Sequence, residues 1–179
     1  MLRIDVAGEG DWATFREIRL RSLLDSPDAF GSTYGEESSQ SEDAWRAWAA
    51  GRWRGGTAVA LLAREDDRVV GTATGAAYDS EPGTAHLYAM WVAPEARRAG
   101  VGRALVDAVA QWARDRGCDR LVLQVTESNV AARSFYGAHG FADTGERSSL
   151  REGSELQVLR LARTLERRSR GGPSIHSAG

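Results

Sequence analysis

The sequence predicts one mixed α/β (α+β) domain, a mostly antiparallel sheet of about six to seven strands with helices on both faces. Three observations carry this. Apolar runs of strand character alternate with helix-period segments through the middle of the chain. Paired strand patterns flank that middle on both sides. A turn carrying Gly100 and Gly102 joins one apolar run directly to a helical pattern.

The elements follow in order. Leu2–Val6 alternates apolar and polar residues and reads as a first strand. Asp11 is placed to cap a helix whose apolar stripe is Trp12, Phe15, Ile18 and Leu23, and Pro27 ends it near Asp25. Ala29–Gln40 is rich in glycine and serine, has little periodicity, and reads as a loop. Ser41 is a second cap, with Glu42 and Asp43 in the favoured first turn and Trp45, Trp48 and Trp53 on one face. Thr57–Ala63 and Val69–Tyr78 form a hairpin about the turn Glu65–Arg68, and Gly71 and Gly75 mark a bulge or a close backbone approach. After the turn 79–84 comes the strand His86–Val92, stopped by Pro94. A helix over Val101–Arg116 points Leu105, Val109 and Trp112 inward and ends at Gly117. Leu121–Thr126 is a strand, Asn129–His139 a helix, and Phe141–Arg147 with Leu156–Ala162 a last hairpin. From Glu166 the composition turns to Arg, Ser and Gly, which predicts a disordered tail.

Composition narrows the function classes. A chain of 179 residues suits one domain, expected over 1–165, with 166–179 as the tail. A net charge of −2 gives no reason to expect nucleic acid or an anionic membrane as partner. The single cysteine, Cys118, cannot form an internal disulfide, and no apolar run approaches a membrane span, so a cytoplasmic protein is expected. Three scattered histidines and that cysteine have no metal-ligand spacing, so no metal is expected.

The segment Met90–Ala104 carries the clearest chemistry. Gly100 and Gly102 remove Cβ atoms at a helix start, where backbone N–H groups have no intrahelical partner. The helix dipole and Arg97, Arg98 and Arg103 add positive charge, so the turn suits a phosphate or diphosphate. A Walker loop is excluded because all 23 basic residues are arginine. A dinucleotide fingerprint is excluded because Leu105 stands where its third glycine belongs.

What remains, Arg97-x-x-Gly100-x-Gly102, resembles the Q/R-x-x-G-x-G/A diphosphate signature of the GCN5-related N-acetyltransferases (GNAT). LVLQVTESNVAARSFY (Leu121–Tyr136) and Gly140-Phe141 are similar to the next strand, helix and "GF" of that family, and the resemblance runs from about Thr57 to Ala162. It implies acetyl-CoA as cofactor, two central strands splayed around the pantetheine arm, and a cofactor core over about 85–141. It also implies an acceptor side over about 11–55, with the acceptor site itself at roughly Arg19–Trp53 and Ser148–Glu155. The cofactor contacts it implies are Met90, Trp91, Val92, Arg97, Arg98, Ala99, Gly100, Val101, Gly102, Arg103, Ala104, Asn129, Ala132, Arg133 and Tyr136.

Acetyl transfer to an amine needs a neutral amine, a held thioester and a proton for the departing sulfur. Asn129, Ala132, Arg133 and Tyr136 share one helical face by spacing. Tyr136 resembles the family acid, and a phenol with a reference pKa of about 10 is protonated at neutral pH. His86 occupies the position at which some relatives carry a catalytic glutamate, and alternation would put it on one face with Tyr88, Met90 and Val92. Glu36, Glu37, Asp79 and Glu127 are rival bases. Phe30, Tyr34, Glu36 and Glu37 are expected to line the acceptor site, although the two glutamates read equally as a solvated pair. Cys118 is expected to be structural, and His139 to serve the end of its helix. The function expected is acetyl transfer to a primary amine by direct attack, a small molecule ahead of a peptide N-terminus. A non-catalytic acyl-CoA-binding module is the alternative. A homodimer is common in such folds.

Overall fold

The computed structural model describes residues 1–54 and 56–166, the side chains of 51–54 excepted. Trp53 and His176, and nearly all of the expected tail, therefore fall outside the described side chains. The strands are β1 (Leu2–Val6), β2 (Ala58–Glu65), β3 (Arg68–Ala77), β4 (Thr84–Val92), β5 (Arg120–Thr126), β6 (Ala142–Ser149) and β7 (Gln157–Thr164). The helices are α1 (Trp12–Asp25), α2 (Tyr34–Ser38), α3 (Glu42–Arg54), α4 (Val101–Asp115) and α5 (Val130–Ala138). The strands form one seven-stranded sheet in the order β1-β2-β3-β4-β5-β7-β6.

Every neighbouring pair is antiparallel except β4–β5, which is parallel. That ladder has only the rungs Thr84–Arg120, Ala85–Leu121 and His86–Val122. Beyond them the strands part, leaving Leu87–Val92 and Leu123–Thr126 on the two sides of a gap. The expected splay is therefore present.

Small residues on β3 let α4 lie close. A Cβ at Gly71 would stand 3.0 Å from the Trp91 carbonyl and 3.2 Å from Leu105 Cδ1. One at Gly75 would stand 3.0 Å from the Trp112 ring and 3.1 Å from Val109 Cγ1. Of the two readings of these glycines, close approach is the one realised. Val101, Leu105, Val106, Val109, Ala110 and Ala113 form the buried stripe of α4. On the other face, α1 packs on β3 and β4 and α3 on β2. Phe15, Ile18 and Leu23 are buried as the stripe predicts, joined by Trp45 from α3.

Three local expectations change. The loop 29–40 contains a short helix, α2, because Thr33 and Glu36 form a reciprocal capping box: Glu36 N donates to Thr33 Oγ1 (3.3 Å) and Thr33 N to Glu36 Oε2 (2.7 Å). Asp11 precedes α1 but does not cap it; its carboxylate accepts from Gly8 N at 2.8 Å and from Arg64 at 3.2 Å. Asn129 lies just before α5, not in it, and caps it by accepting from Ala132 N at 3.0 Å.

The fourth change matters for the site. Between Tyr88 and Trp91 the β4 register gains one residue over β3, since Thr74 pairs with Tyr88 and Thr72 with Trp91. Ala89 adopts φ 48° at this bulge. Directly paired residues share a sheet face. His86, Tyr88 and Trp91 thus lie on the α1 side, and Val92, paired with Gly71, faces α4. The strict alternation expected for His86, Tyr88, Met90 and Val92 is broken by that extra residue.

Candidate active site

The parted strands open into a cleft of about 1150 Å3. One end is the start of α4. Gly100 caps it at φ 86°, and the first intrahelical bond is Ala104 N to Gly100 O at 3.0 Å. The N–H groups of Gly102 and Arg103, residues that line the cleft, precede that rung and have no helical partner. Nothing lies within 4 Å of a Cβ built on Gly100, so its role is the left-handed turn and an open approach. Gly102 serves a different purpose, because a Cβ there would stand 3.1 Å from Phe135 Cζ and 3.4 Å from Met90 Cε. Arg98 and Arg103 line the cleft beside this terminus. These groups together fit a diphosphate.

Arg97 also lines the cleft, but it is committed. Its Nε donates to Val92 O at 3.0 Å and its Nη2 to the Asp25 carboxylate. Trp91 Nε1 donates to the same carboxylate at 2.8 Å. Burial of Asp25 opposes its ionisation, yet the hydrogen bonds from Ser26, Trp91 and Arg97 hold its pKa below the ordinary value. Arg97 thus ties the loop to α1 and β4.

Deeper in, Tyr136 and Asn129 line the cleft with Ala132 and Phe135. Tyr136 is 8% exposed, with ring contacts to Phe135 (5.2 Å) and Phe141 (5.6 Å). Burial alone pushes its phenol well above its ordinary pKa, so it holds its proton. Asn129 uses its carbonyl for the α5 cap, which leaves its amide NH2 to donate. Met90, Trp91 and Val92 line the cleft from β4.

Several expected residues lie elsewhere. Ala99, Val101, Ala104 and Arg133 do not line the cleft, and Arg133 is turned to Glu127 O at 3.0 Å. His86 is also off it: its Nε2 is 2.8 Å from Glu81 Oε2, Glu81 also pairs with Arg160, and the His86 ring stacks on Tyr88 at 5.6 Å. Tyr78 and Tyr88 reach the cleft in its place. Phe30 and Glu37 line the acceptor end, whereas Tyr34 and Glu36 do not. Glu37 is no solvated partner of Glu36; it pairs with Arg19 at 2.8 Å and accepts from Ser32. Cys118 is buried away from the cleft, and burial first, then Asp119, raises its thiol pKa. His139 Nδ1 lies 2.7 Å from Phe135 O, at the end of α5 as expected. Among the described residues no group of three or more His, Cys, Asp or Glu could hold a metal, and no helix is long and apolar enough to cross a membrane.

Arg19, Trp45 and Leu150 fall inside the expected acceptor stretches without having been singled out, Tyr78 lies outside them, and all four line the cleft. The aromatic pair Trp45 and Trp48, visible as a helical stripe, lines the cleft. Arg151, inside the expected stretch Ser148–Glu155, donates to Phe30 O at 2.9 Å and to Pro27 O at 3.3 Å, holding the β6–β7 loop over the acceptor end.

Known proteins resemble this chain in sequence and in fold. The model of the family described as acetyltransferase (GNAT) family matches residues 15–141, reaching back into α1, which carried no motif. The streptothricin acetyltransferase of Streptomyces lavendulae is 31% identical over 166 residues, covering 86% of this chain and 75% of that protein. The aminoglycoside N(6')-acetyltransferase type 1 of Klebsiella aerogenes is 42% identical over 62 residues, 35% of this chain and 41% of that protein. The Salmonella typhimurium protein yncA, solved with its cofactor acetyl-CoA, has the same fold, with a TM-score of 0.75 at 21% identity over 97% of this chain and 99% of that one.

Proposed function

This chain belongs to the GNAT acetyltransferase family, whose cofactor is acetyl-CoA, and from that premise we propose that it acetylates the primary amine of a small molecule by direct attack in a ternary complex. The observation that carries the reading is the continuity of the cleft. The same cavity is lined by Gly100, Arg103, Asn129 and Tyr136 at one end and by Phe30, Glu37, Trp45 and Trp48 at the other. Donor and acceptor can therefore meet without an acyl-enzyme.

When bound, acetyl-CoA supplies an acetyl group activated as a thioester. The chain supplies the rest. The α4 N–H groups, with Arg98 and Arg103, bind the diphosphate. The edge of β4 beyond His86, unpaired on its β5 side, offers backbone donors and acceptors to the pantetheine arm. Tyr136 holds a proton on its phenol oxygen and passes it to the departing sulfur. Glu36 caps α2 and Glu37 is paired, so of the expected bases we assign the amine proton to His86, held by Glu81; because His86 does not line the cleft, that transfer requires an intervening water. A His86→Gln variant that keeps the acidic limb of its pH–rate profile would transfer that role to Asp79 or Glu127.

The preference for a small molecule rests on the covered acceptor end. Arg151 ties the β6–β7 loop to Pro27 and Phe30, and the Leu150 carbonyl lies 3.5 Å from a Cβ built on Gly31. An extended peptide needs an open groove there. The similarity to a streptothricin acetyltransferase over 86% of the chain points the same way.

The test is free-thiol release at fixed acetyl-CoA, across streptothricin-type and aminoglycoside amines, simple primary amines, and peptides with free N-termini. Turnover on small amines with intersecting initial-rate plots is expected. Turnover on peptides alone would overturn the acceptor assignment. Tight acetyl-CoA binding with no thiol release from any amine would favour a binding module.

A further inference from the structure

The acceptor wall of the cleft contains two hydrogen-bond donors with nothing to donate to. Arg19 projects from α1. Its Nη2 donates to Glu37 (2.8 Å) and Ser32 (2.8 Å), its Nε to Glu37 (3.0 Å), and its guanidinium covers the Phe30 ring at 4.7 Å. Its Nη1 is buried without a partner. Trp45 projects from α3, is 3% exposed, and meets Trp48 edge-on at 6.0 Å. Its Nε1 is also buried without a partner. Both side chains line the cleft, whereas Thr74, which has the third such atom among the described residues, does not.

A guanidinium and an indole can only donate. Folded proteins leave few buried donors unsatisfied, because each forfeits its water without a replacement. Two such donors on side chains that line one substrate cleft call for an acceptor that the chain does not itself provide. Charge defines that acceptor further. Glu37 already balances Arg19, at 14% and 12% side-chain exposure. A carboxylate brought to Arg19 would meet the Glu37 carboxylate already paired with it, desolvated among Phe15, Phe30 and Trp48.

Building on the small-amine reading, we propose that Arg19 and Trp45 form a specificity subsite for an uncharged oxygen, a hydroxyl or amide carbonyl, carried by the acceptor near its amine. The oxygen accepts from Nη1 of Arg19 and Nε1 of Trp45, and amines lacking it are poor substrates.

The experiment uses chain-length-matched amino alcohols, amino amides, alkylamines and amino acids with a free carboxylate. KM is measured by thiol release. Binding of the same compounds to the CoA-saturated protein is measured by calorimetry, which needs no turnover. The wild type should favour the hydroxyl and amide compounds over alkylamines by about tenfold, the scale of one net hydrogen bond. That ratio should fall to about twofold in Trp45→Phe, which keeps a ring but no N–H. It should fall likewise in Arg19→Lys, which keeps a cation for Glu37. The KM for acetyl-CoA reports general damage. Equal preference in the wild type, preference for the carboxylate, or variants that weaken every compound alike would overturn the subsite. If both variants fail to fold, the wild-type panel decides. If no amine is acetylated but calorimetry retains the oxygen preference, the subsite stands and the transfer reading falls.

Discussion

Removing one oxygen atom from Tyr136 isolates the chemistry from the packing. The ring is wedged against Phe135 and Phe141 and is 8% exposed. Tyr136→Phe keeps that ring packing and removes only the hydroxyl. Folding stability should change by no more than about 0.5 kcal/mol. The loss should be confined to the charge that builds on sulfur. A hydrogen bond to a charged group is worth about 1.5–3 kcal/mol, and about 1.4 kcal/mol is tenfold in rate, so kcat should fall roughly 10- to 150-fold. The KM for acetyl-CoA should stay within about twofold. Because burial raises the phenol above its ordinary pKa of about 10, the proton is present throughout the neutral range. Any basic limb from this group lies above that value and is absent from the variant. The assay is thiol release at saturating acetyl-CoA, with thermal denaturation alongside. Undiminished turnover, or a fall matched by a collapse in Tm, would refute the acid role.

Three further outcomes follow from the geometry. Gly102→Val should push Phe135 and Met90 into the cleft and weaken acetyl-CoA binding about tenfold by calorimetry, given Cβ distances of 3.1 and 3.4 Å, and adding Phe135→Leu should recover part of it. Asp25 has a depressed native pKa, so its stabilisation is complete above the unfolded carboxylate value of about 3.9 and is lost as pH falls through the native one. Asp25→Asn should therefore lower Tm at pH 7 and flatten its decline in acid; an unaltered acid limb would contradict the Asp25–Arg97–Trp91 tie. Cys118→Ala should leave kcat within about twofold, since the thiol is buried outside the cleft, and a hundredfold loss would establish an acyl-cysteine route instead.

Local patterns told the truth wherever a local force decides the outcome. The stripe Phe15–Ile18–Leu23, the hairpin Ala58–Ala77 and the Gly100 turn each depend on residues a few positions apart. The short helix at Tyr34–Ser38 was missed although its capping pair, Thr33 and Glu36, stands in plain view, because serine and glycine around it masked the signal. The β4 bulge had no such marker: alanine at φ 48° is tolerated because β3 and the α1 contact of Trp91 impose it. Arg97 shows the same limit, for a motif position expected to face the cofactor is spent largely on Asp25, 72 residues away.

Periodicity, turn chemistry and the Arg97-x-x-Gly100-x-Gly102 spacing were enough for the strands, for every helix but the short α2, and for the family, since these are written in near-neighbour residues. The tertiary structure decided which side chains share the cleft. It opened β4 from β5 after three rungs, turned His86 toward Glu81, buried Glu37 against Arg19 and left Trp45 Nε1 without an acceptor. Those outcomes depend on contacts between distant segments, whose register and packing no short window of sequence encodes.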